Sequence, residues 1–192
     1  MTSRERILAA LNHKEADRVA IQDSPWFTTV RRWHEEGLPK DVDPADYFGY
    51  EMSSFGADMS FQLPTELVEE TDEYTIVRNS NGALVKNWKH KTSTPEMIDF
   101  TIKDRAAWEQ HKPLLAMNES RVDWKNGLET CKREREKGKF FHFAAAMGYD
   151  KTQGFVGSER LLIAMAEEPD WAKDMFDASV QIIIDAAEEM MA

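Results

Sequence analysis

The chain has 192 residues, and its 24 lysine and arginine residues against 35 aspartate and glutamate residues give a formal charge of −11. Nucleic acid is therefore not an expected partner, because phosphate binding draws on clustered positive charge. The single cysteine, Cys131, excludes an internal disulfide and an all-cysteine metal site within one chain. The sequence shows neither a signal peptide nor an apolar run of about 20 residues, so we expect a cytoplasmic protein without a membrane span.

The first 22 residues predict a helix followed by a strand. Thr2 and Glu5 have the spacing of a capping box, in which each residue satisfies a backbone N–H of the other. Apolar residues then recur at helical spacing as far as Leu11. The bare apolar run Val19–Ile21 is typical of a buried parallel strand.

A second helix and a hairpin are predicted next. The helix is expected to begin at Ser24-Pro25 and to end at Gly37, because a cap, a first-position proline and a terminal glycine agree there. The stretches Tyr74–Arg78 and Ala83–Trp88 flank Asn81-Gly82, a pair that favours the positive φ angles of a tight turn. These stretches therefore predict a two-stranded hairpin.

The second half of the chain predicts mainly helices around one strand. Asp104 is expected to cap a helix, and a highly charged helix is expected from about Ser120 to Lys137. Phe140–Met147 is the strongest strand candidate, since it is apolar on both alternating faces. A loop over Gly148–Gly157 and two further helices, separated at Glu168-Pro169, complete the prediction.

The order of these segments resembles a known superfamily. The stretches from Thr2 to His13 and from Asp17 to Ile21 resemble the opening of the uroporphyrinogen decarboxylase superfamily, in which a leading helix precedes the first strand of a (β/α)8 barrel. Asp46–Tyr50, Gly56–Phe61 and the hairpin through Asn81-Gly82 resemble its decarboxylase-like branch, which also contains corrinoid-dependent methyltransferases. The resemblance covers nearly the whole chain and implies an α/β fold of the TIM-barrel type, with the hairpin as an insertion.

The length predicts an incomplete barrel. A (β/α)8 barrel typically needs about 250 residues, so we expect residues 1–192 to form a single domain that holds only the N-terminal part of one. The apolar stripe from Trp171 to Met190 agrees, because it stops without a glycine cap or a basic last turn. A natural C-terminal helix that frays at its end is the alternative.

Three residues are predicted to be catalytic. In a barrel of parallel strands, functional groups collect where the strands end and the following loops begin. This rule selects Asp23 after the first strand, Asp58 beside a glycine, and His142 on the strand that leads into the next turn. Each has a structural alternative: Asp23 as a helix cap or an Asx turn, Asp58 as a solvated turn residue, and His142 as a hydrogen-bonded core histidine.

Five further residues are predicted to contact the substrate, namely Trp26, Phe61, Met147, Tyr149 and Asp150. Packing in the core is the alternative for the aromatic side chains, and ordinary loop chemistry is the alternative for the residues of the turn. The five histidines of the chain lack the spacing of a metal site, so no metal ligand is predicted.

The resemblance implies two enzymatic functions. True uroporphyrinogen decarboxylases carry, directly after the first strand, an arginine-bearing motif that clamps the carboxylates of the substrate. In this chain the corresponding stretch, Gln22–Phe27, has no arginine, and Arg31 and Arg32 come a helical turn or two later. We therefore expect methyl transfer from a small methylated substrate to a corrinoid partner, with decarboxylation of uroporphyrinogen as the alternative.

The resemblance also bears on cofactors and partners. It implies a corrinoid protein as partner and zinc in a complete member of the family, but the zinc ligands of the family belong to later strands, and no ligand for either group is predicted in this chain. A third hypothesis is a noncatalytic piece, either a fragment or a half-barrel that completes itself by pairing as a homodimer. An open parallel sheet exposes strand edges and an apolar lining that favour such association.

Overall fold

The computed structural model describes residues 1–191, which divide into two compact units. The first unit consists of Met1–Gly56 and Asp123–Ala144, and the second of Ala57–Val122 together with the described residues from Ala145 onward. The chain therefore passes twice from the first unit to the second. Both units contain helices, the first has a parallel pair of strands and the second an antiparallel sheet, so the predicted mixed α/β class is confirmed.

The helices and strands follow one another along the chain in a mixed order. They are α1 (Ser3–Leu11), α2 (Phe27–Glu35), α3 (Pro44–Tyr47), β1 (Met52–Phe55), β2 (Glu66–Glu70), β3 (Tyr74–Arg78), β4 (Leu84–Trp88), β5 (Glu96–Asp99), α4 (Arg105–His111), a 3₁₀ helix (Lys112–Leu115), α5 (Trp124–Glu136), β6 (Phe140–Phe143), α6 (Gly148–Val156), α7 (Ser158–Glu167) and α8 (Pro169–Met191). Within residues 1–191, no helix combines the length and the apolarity needed to cross a membrane.

The first unit is built on the parallel pair of β1 and β6, with α5 in the connection between them. The register places Phe55 opposite Phe143. The ring of Phe55 stacks on Phe141 at 5.5 Å and meets the edge of Trp124 of α5 at 5.9 Å. A Cβ at Gly127 would lie 2.8 Å from the Phe55 ring, so this glycine lets the helix approach the strand.

The predicted strand Val19–Ile21 is wrong. Val19 is 87% exposed, and no residue of the segment belongs to a strand. The Ile21 N–H donates to the Glu51 carboxylate at 2.7 Å, and the Glu51 N–H donates to the Ile21 carbonyl at 2.9 Å. A side-chain carboxylate has thus taken the place of a strand partner at the edge of β1.

Two predictions in the region that follows α5 also need correction. The strand predicted over Phe140–Met147 ends at Phe143, because its partner β1 ends at Phe55 and the last ladder bond runs from the Ala144 N–H to the Phe55 carbonyl at 2.8 Å. The loop predicted over Gly148–Gly157 is helix α6. The glycines of that segment lower its intrinsic helix propensity, and packing against the core overrides this preference.

The helix ends follow local signals to different degrees. The capping box of Thr2 and Glu5 is present at the start of α1, as predicted. Asp104 caps α4 by accepting from the Ala107 N–H at 2.8 Å, which is also confirmed. By contrast, α2 begins at Phe27 without a side-chain cap rather than at Ser24.

The antiparallel sheet of the second unit has the order β2-β3-β4-β5. The predicted hairpin is confirmed as β3 and β4, and β2 and β5 extend it on either side. Gly82 in the turn has φ 75°, and a Cβ there would collide with the Thr101 hydroxyl, so both the backbone angle and the space require glycine.

A hydrophobic core in the second unit joins the helices to the segment that follows β1. The amphipathic stripe predicted on the last helix faces this core through Trp171, Met175 and Ile182. Other buried members of the cluster are Met59, Phe61, Ile102, Trp108, Leu115, Phe155, Val156, Leu161, Ala164 and Ala172. This packing fixes the position of α6 against the segment 57–62, where polar and charged groups gather.

Candidate functional site

A polar site in the second unit contains Asp58, Arg121 and Lys151. Asp58 belongs to the segment that follows β1, and Lys151 belongs to α6, which follows β6. We call the arrangement the Asp58–Lys151 site. Its three charged groups lie close enough for the charges of Asp58 and Arg121 to influence the pKa of Lys151.

Arg121 is the buried anchor of this site, with only 2% of its surface exposed. Its guanidinium donates to the carbonyl oxygens of Ala116 at 2.8 Å, Asp58 at 2.5 Å and Ser60 at 2.9 Å, and also to that of Leu114. These bonds join the segment after β1 to the segment before α5 and occupy most of the N–H donors of an arginine. Arg121 therefore contributes charge to the site rather than free hydrogen-bond donors.

The carboxylate of Asp58 is exposed and held in one orientation. Its Oδ1 accepts from the Ser60 N–H at 2.9 Å, and its Oδ2 accepts from the side-chain amide of Gln62 at 3.3 Å. Desolvation is the largest single influence on the pKa of Asp58 and raises it, but the hydrogen bonds from Ser60 and Gln62, with the charge of Arg121, outweigh it and lower the pKa. Asp58 is thus an ionised acceptor at neutral pH.

Gln62 carries backbone strain beside Asp58. Its φ of 55° lies in the left-handed region that non-glycine residues seldom adopt. Its side chain donates to Ser120 at 3.1 Å and accepts from Asn118 at 2.9 Å, so bonds to a distant loop hold the conformation. Strain of this kind is concentrated at functional sites, where the surrounding structure over-determines the backbone.

Lys151 lies on the side of α6 that leads into the core. Thr152, Phe155 and Val156 are buried, and the Lys151 ammonium is 5.4 Å from the centroid of the Phe155 ring, one helical turn away. The ammonium makes no hydrogen bond or ion pair with any of residues 1–191. Burial lowers the pKa of Lys151 below its usual range, although the charge of Asp58 opposes that shift.

The chemistry available to the site follows from the carboxylate of Asp58 and the ammonium of Lys151. Asp58 can accept a hydrogen bond from a hydroxyl or an N–H of a ligand. Lys151 can bind an anion or give up a proton as an ammonium, and it can act as a base or a nucleophile once deprotonated. A partly buried lysine with a lowered pKa, within electrostatic range of a fixed carboxylate, is a physically reasoned candidate for a functional group.

Four of the predicted site residues lie in the second unit together with Asp58. Phe61 is buried, with its ring 4.6 Å from that of Phe155, so it lies beneath the site in the core. Tyr149 is half-buried and packs against the same core. Met147 and Asp150 are exposed at the start of α6.

The other predicted site residues lie in the first unit. Asp23 is exposed, and its Oδ1 accepts from the adjacent Ser24 N–H at 2.7 Å, but it does not cap α2, which begins at Phe27 without a side-chain cap. Trp26 is exposed at the start of α2. His142 is half-buried and stacks on Phe140 at 6.2 Å, and its Nδ1 is buried without a partner among the described residues. The alternative of a hydrogen-bonded core histidine is thus not satisfied at that atom.

Buried charges of the first unit are committed to ion pairs. Glu51 is buried and accepts from Arg6 and, at 2.8 Å, from Arg18. Arg6 also donates to Asp17 at 2.6 Å. These bonds tie α1 and the segment that follows it to the start of β1. Their role is structural, because each charge faces an opposite one.

A second ion-pair group holds α3 to the end of α5. Lys139 lies 3.0 Å from the buried carboxylate of Glu134 and 2.8 Å from Asp46, which Lys137 also contacts at 2.7 Å. The hydrogen bonds from Lys137 and then Lys139 lower the pKa of Asp46 to about 2. Members of this group and of the group around Glu51 line one surface cavity of about 750 Å³.

Arg121 and Lys151 are residues of the site that the sequence patterns did not predict. Arg121 stands in a polar segment without periodicity, and its bonds to carbonyl groups leave no trace in the sequence. A signal for Lys151 did exist, since it precedes Phe155 by one helical turn. The spacing of Lys151 and Phe155 has this meaning only in a helix, and the sequence predicted a loop for this segment.

Metal binding receives no support from the part of the chain that the structure describes. No group of three or more His, Cys, Asp or Glu side chains among residues 1–191 is arranged to hold a metal ion. The zinc that the resemblance implies for a complete family member therefore has no set of ligands among the described residues, and no step of the proposed chemistry uses it.

Comparisons of the chain with protein-family models, with curated proteins and with solved structures found no match. The geometry of the Asp58–Lys151 site and the order of the sequence motifs are therefore the grounds on which a function can be proposed.

Proposed function

We propose that the chain forms the first arc of a (β/α)8 barrel of the uroporphyrinogen decarboxylase-like superfamily. Its activity is methyl transfer from a small methylated substrate to the corrinoid of a partner protein. The observation that supports this most directly is the Asp58–Lys151 site, whose two groups lie within electrostatic range of each other and come from the segments that follow two different parallel strands. Active sites of (β/α)8 barrels are built from the segments that follow the carboxyl ends of the strands.

The arrangement around β1 is compatible with such an arc. The Glu51 N–H donates to the Ile21 carbonyl, and the Phe140 N–H donates to the Glu51 carbonyl at 2.7 Å. Three segments are thus linked in chain order, and the last two are parallel strands whose connection holds the antiparallel sheet, α4 and α5. In a (β/α)8 barrel consecutive strands are linked in this way, and here the last two of the three segments are strands whereas the segment around Ile21 is not.

The proposed reaction assigns one role to each charged group. Methyl transfer breaks the bond between the methyl carbon and the oxygen or nitrogen of the substrate, and both bonding electrons stay on that heteroatom. The heteroatom takes up a proton, which Lys151 gives as an ammonium, while Asp58 orients the substrate through a hydroxyl or N–H. The methyl carbon passes to the reduced corrinoid, which the partner protein supplies as a co-substrate. A lowered pKa makes Lys151 a better proton donor than an ordinary lysine.

Decarboxylation of uroporphyrinogen is the less favoured alternative. Its substrate carries many carboxylates, which several free guanidinium groups would be needed to bind. Arg121 has already committed its donors to carbonyl groups, and Arg32 pairs with Glu36 at 3.0 Å. Within the described part of the chain, the Asp58–Lys151 site therefore offers one free cation, which suits a smaller substrate.

Turnover with cob(I)alamin tests the proposal. Methoxylated aromatics and methylamines are supplied as methyl donors, and methyl transfer is followed by the absorbance change of the corrinoid. Lys151→Met is expected to lower the rate by roughly 10²- to 10⁴-fold, as for loss of a general acid. Lys103→Met is the matched control, since Lys103 is exposed and pairs with Asp99. Absence of turnover across the panel, together with CO₂ release from uroporphyrinogen, would reverse the ranking.

Self-association is a second candidate role, favoured by exposed apolar groups in the first unit. Val19, Trp26 and Phe27 are 87%, 54% and 71% exposed. In the described residues, β6 has a strand partner only in β1, so one edge of the pair is open. Open edges and apolar surface favour pairing with a second copy. Light scattering after size exclusion distinguishes the roles, because a monomer at high concentration contradicts a half-barrel dimer.

A further inference from the structure

One face of the antiparallel sheet in the second unit carries a pair of aromatic rings around an ammonium group. Tyr74 and Trp88 lie opposite each other in the register of β3 and β4, with ring centroids 5.7 Å apart and planes at 73°. Lys86 precedes Trp88 by two residues on β4 and so shares its face of the sheet. Its ammonium is 3.9 Å from the centroid of Tyr74 and 4.2 Å from that of Trp88.

Carboxylates flank these rings on both neighbouring strands. The Tyr74 hydroxyl donates to Glu69 of β2 at 2.8 Å, and Glu96 of β5 stands opposite Lys86 in the register. The hydrogen bond to Glu69 is the main cause that raises the pKa of Tyr74, which keeps the phenol protonated. Two ring faces therefore meet at the Lys86 ammonium, and each neighbouring strand carries an acid next to this pair of rings in the register, which is the chemistry that stabilises a cation.

The Lys86 ammonium is held there by the rings rather than by an ion pair. Among residues 1–191 it makes no ion pair, whereas the neighbouring Lys89 pairs with Glu70 at 2.7 Å. The ammonium of Lys91 also approaches the Trp88 ring, at 4.7 Å. Two flexible cations thus converge on these rings, and within the described residues neither is fixed by a hydrogen bond to a carboxylate.

We propose that Tyr74 and Trp88, with Glu69 and Glu96, form a binding site for a trimethylammonium or other quaternary ammonium group, and that Lys86 occupies this site when no ligand is bound. A quaternary ammonium is less strongly hydrated than a primary one, so it loses less hydration free energy when it leaves water. Lys86 loses side-chain freedom while it lies over the rings and regains it when displaced. Quaternary ammonium binding at these rings is independent of methyl transfer.

Choline and its uncharged isostere 3,3-dimethylbutan-1-ol provide a direct test. Binding is followed from the shift and broadening of the ligand methyl resonance in proton NMR, with each compound titrated separately. Choline is expected to bind saturably, and 3,3-dimethylbutan-1-ol is expected not to, because the attraction is to the charge and not to the apolar shape. Equal binding of the two compounds would overturn the proposal.

Substitution of the resident lysine separates a binding site from a structural contact. Lys86→Met keeps an apolar stem and removes the competing ammonium, so choline affinity is expected to rise by roughly two- to fivefold. Lys89→Met removes a lysine that pairs with Glu70 instead, and it is expected to leave the affinity unchanged. Absence of saturable choline binding in Lys86→Met would contradict the proposal even if that variant folds normally.

Substitution of the rings completes the test. Trp88→Leu is expected to abolish choline binding, whereas Trp88→Phe keeps a ring and is expected to retain weakened binding. Tyr74→Leu supplies a second ring deletion if Trp88→Leu does not fold. Choline affinity that is unaffected by loss of either ring would also overturn the proposal.

Discussion

The two units of this protein differ in the groups that surround their buried charges. In the first unit, the buried carboxylates of Glu51 and Glu134 each face at least two cations. In the second unit, Arg121 is surrounded by backbone carbonyl groups and Lys151 has no hydrogen-bonding partner among the described residues. The comparison separates charges that hold the fold from the Lys151 ammonium, which has no such partner among residues 1–191.

The two units also differ in the extent of their apolar packing. The hydrophobic cluster that contains Trp108, Phe155 and Met175 belongs to the second unit. The first unit relies on ion pairs and on the rings around Phe55. A unit with a large core can tolerate a half-buried ammonium such as Lys151 without an ion pair, because apolar burial stabilises the surrounding structure.

The largest expected effect is that of replacing Arg121. Arg121→Met removes the donors of four backbone carbonyl groups and is expected to lower the free energy of unfolding by about 3–5 kcal/mol. Urea denaturation followed by circular dichroism measures this. Arg105→Met, which breaks only an exposed contact of 3.9 Å with Glu109, is the control and should cost less than about 0.5 kcal/mol. A small loss in Arg121→Met would mean that its carbonyl bonds do not hold the site together.

The next effect concerns the paired charges of the first unit. Glu51→Gln keeps the shape of the side chain and removes the charge that faces Arg6 and Arg18, and it is expected to cost about 1–3 kcal/mol. The comparable change at an exposed pair, Glu36→Gln, should be nearly neutral. Equal stabilities of the two variants would contradict a structural role for the buried pairs.

Lys151→Met is expected to raise the free energy of unfolding, whereas the two substitutions above lower it. Replacing a half-buried ammonium that lacks a hydrogen-bonding partner among the described residues by an apolar side chain of similar length should raise the free energy of unfolding by about 1 kcal/mol. Thermal unfolding at neutral pH measures the gain. A loss of stability in Lys151→Met would indicate that its ammonium serves the fold, as the charges of the first unit do.

The smallest effect is a pH dependence at Asp46. Its lowered pKa in the folded protein, about 2, means that its ion pairs stabilise the fold above the unfolded value of about 3.9, and that this contribution is lost as the pH falls toward 2. Asp46→Asn is expected to cost less than about 1 kcal/mol at pH 7, because the pairs are partly exposed. Below pH 2 the variant and the natural protein should be equally stable, and a constant difference would contradict this.

Local signals in the sequence predicted the features that depend on neighbouring residues. The capping box of Thr2, the turn at Gly82 and the apolar face of α8 are set by residues within a few positions of each other. Bonds between residues that are distant in the sequence determined the structure where the prediction was wrong. The amide of Ile21 pairs with the distant carboxylate of Glu51, which no local pattern reveals.

The candidate site was predicted only in part for the same reason. The position rule for barrel strands selected Asp58, whose charge acts on Lys151. Lys151 was missed because its placement depends on the packing of α6 against the core, whereas the glycines of that helix favour a loop. Asp23 and His142 were chosen by the same rule and lie in the first unit, where the Asp23 carboxylate accepts from the adjacent Ser24 N–H.

The pKa of Lys151 most directly distinguishes a half-buried amine without an ion pair from the paired charges of the first unit. It can be measured from the pH dependence of lysine acylation, mapped by mass spectrometry, in the natural protein, in Asp58→Asn and in the matched control Asp150→Asn. We expect Lys151 to titrate below the usual range of lysine, and to titrate lower still in Asp58→Asn because the charge of Asp58 opposes the effect of burial. An ordinary pKa for Lys151, or one that Asp58→Asn leaves unchanged, would contradict the assignment of this amine to a functional site.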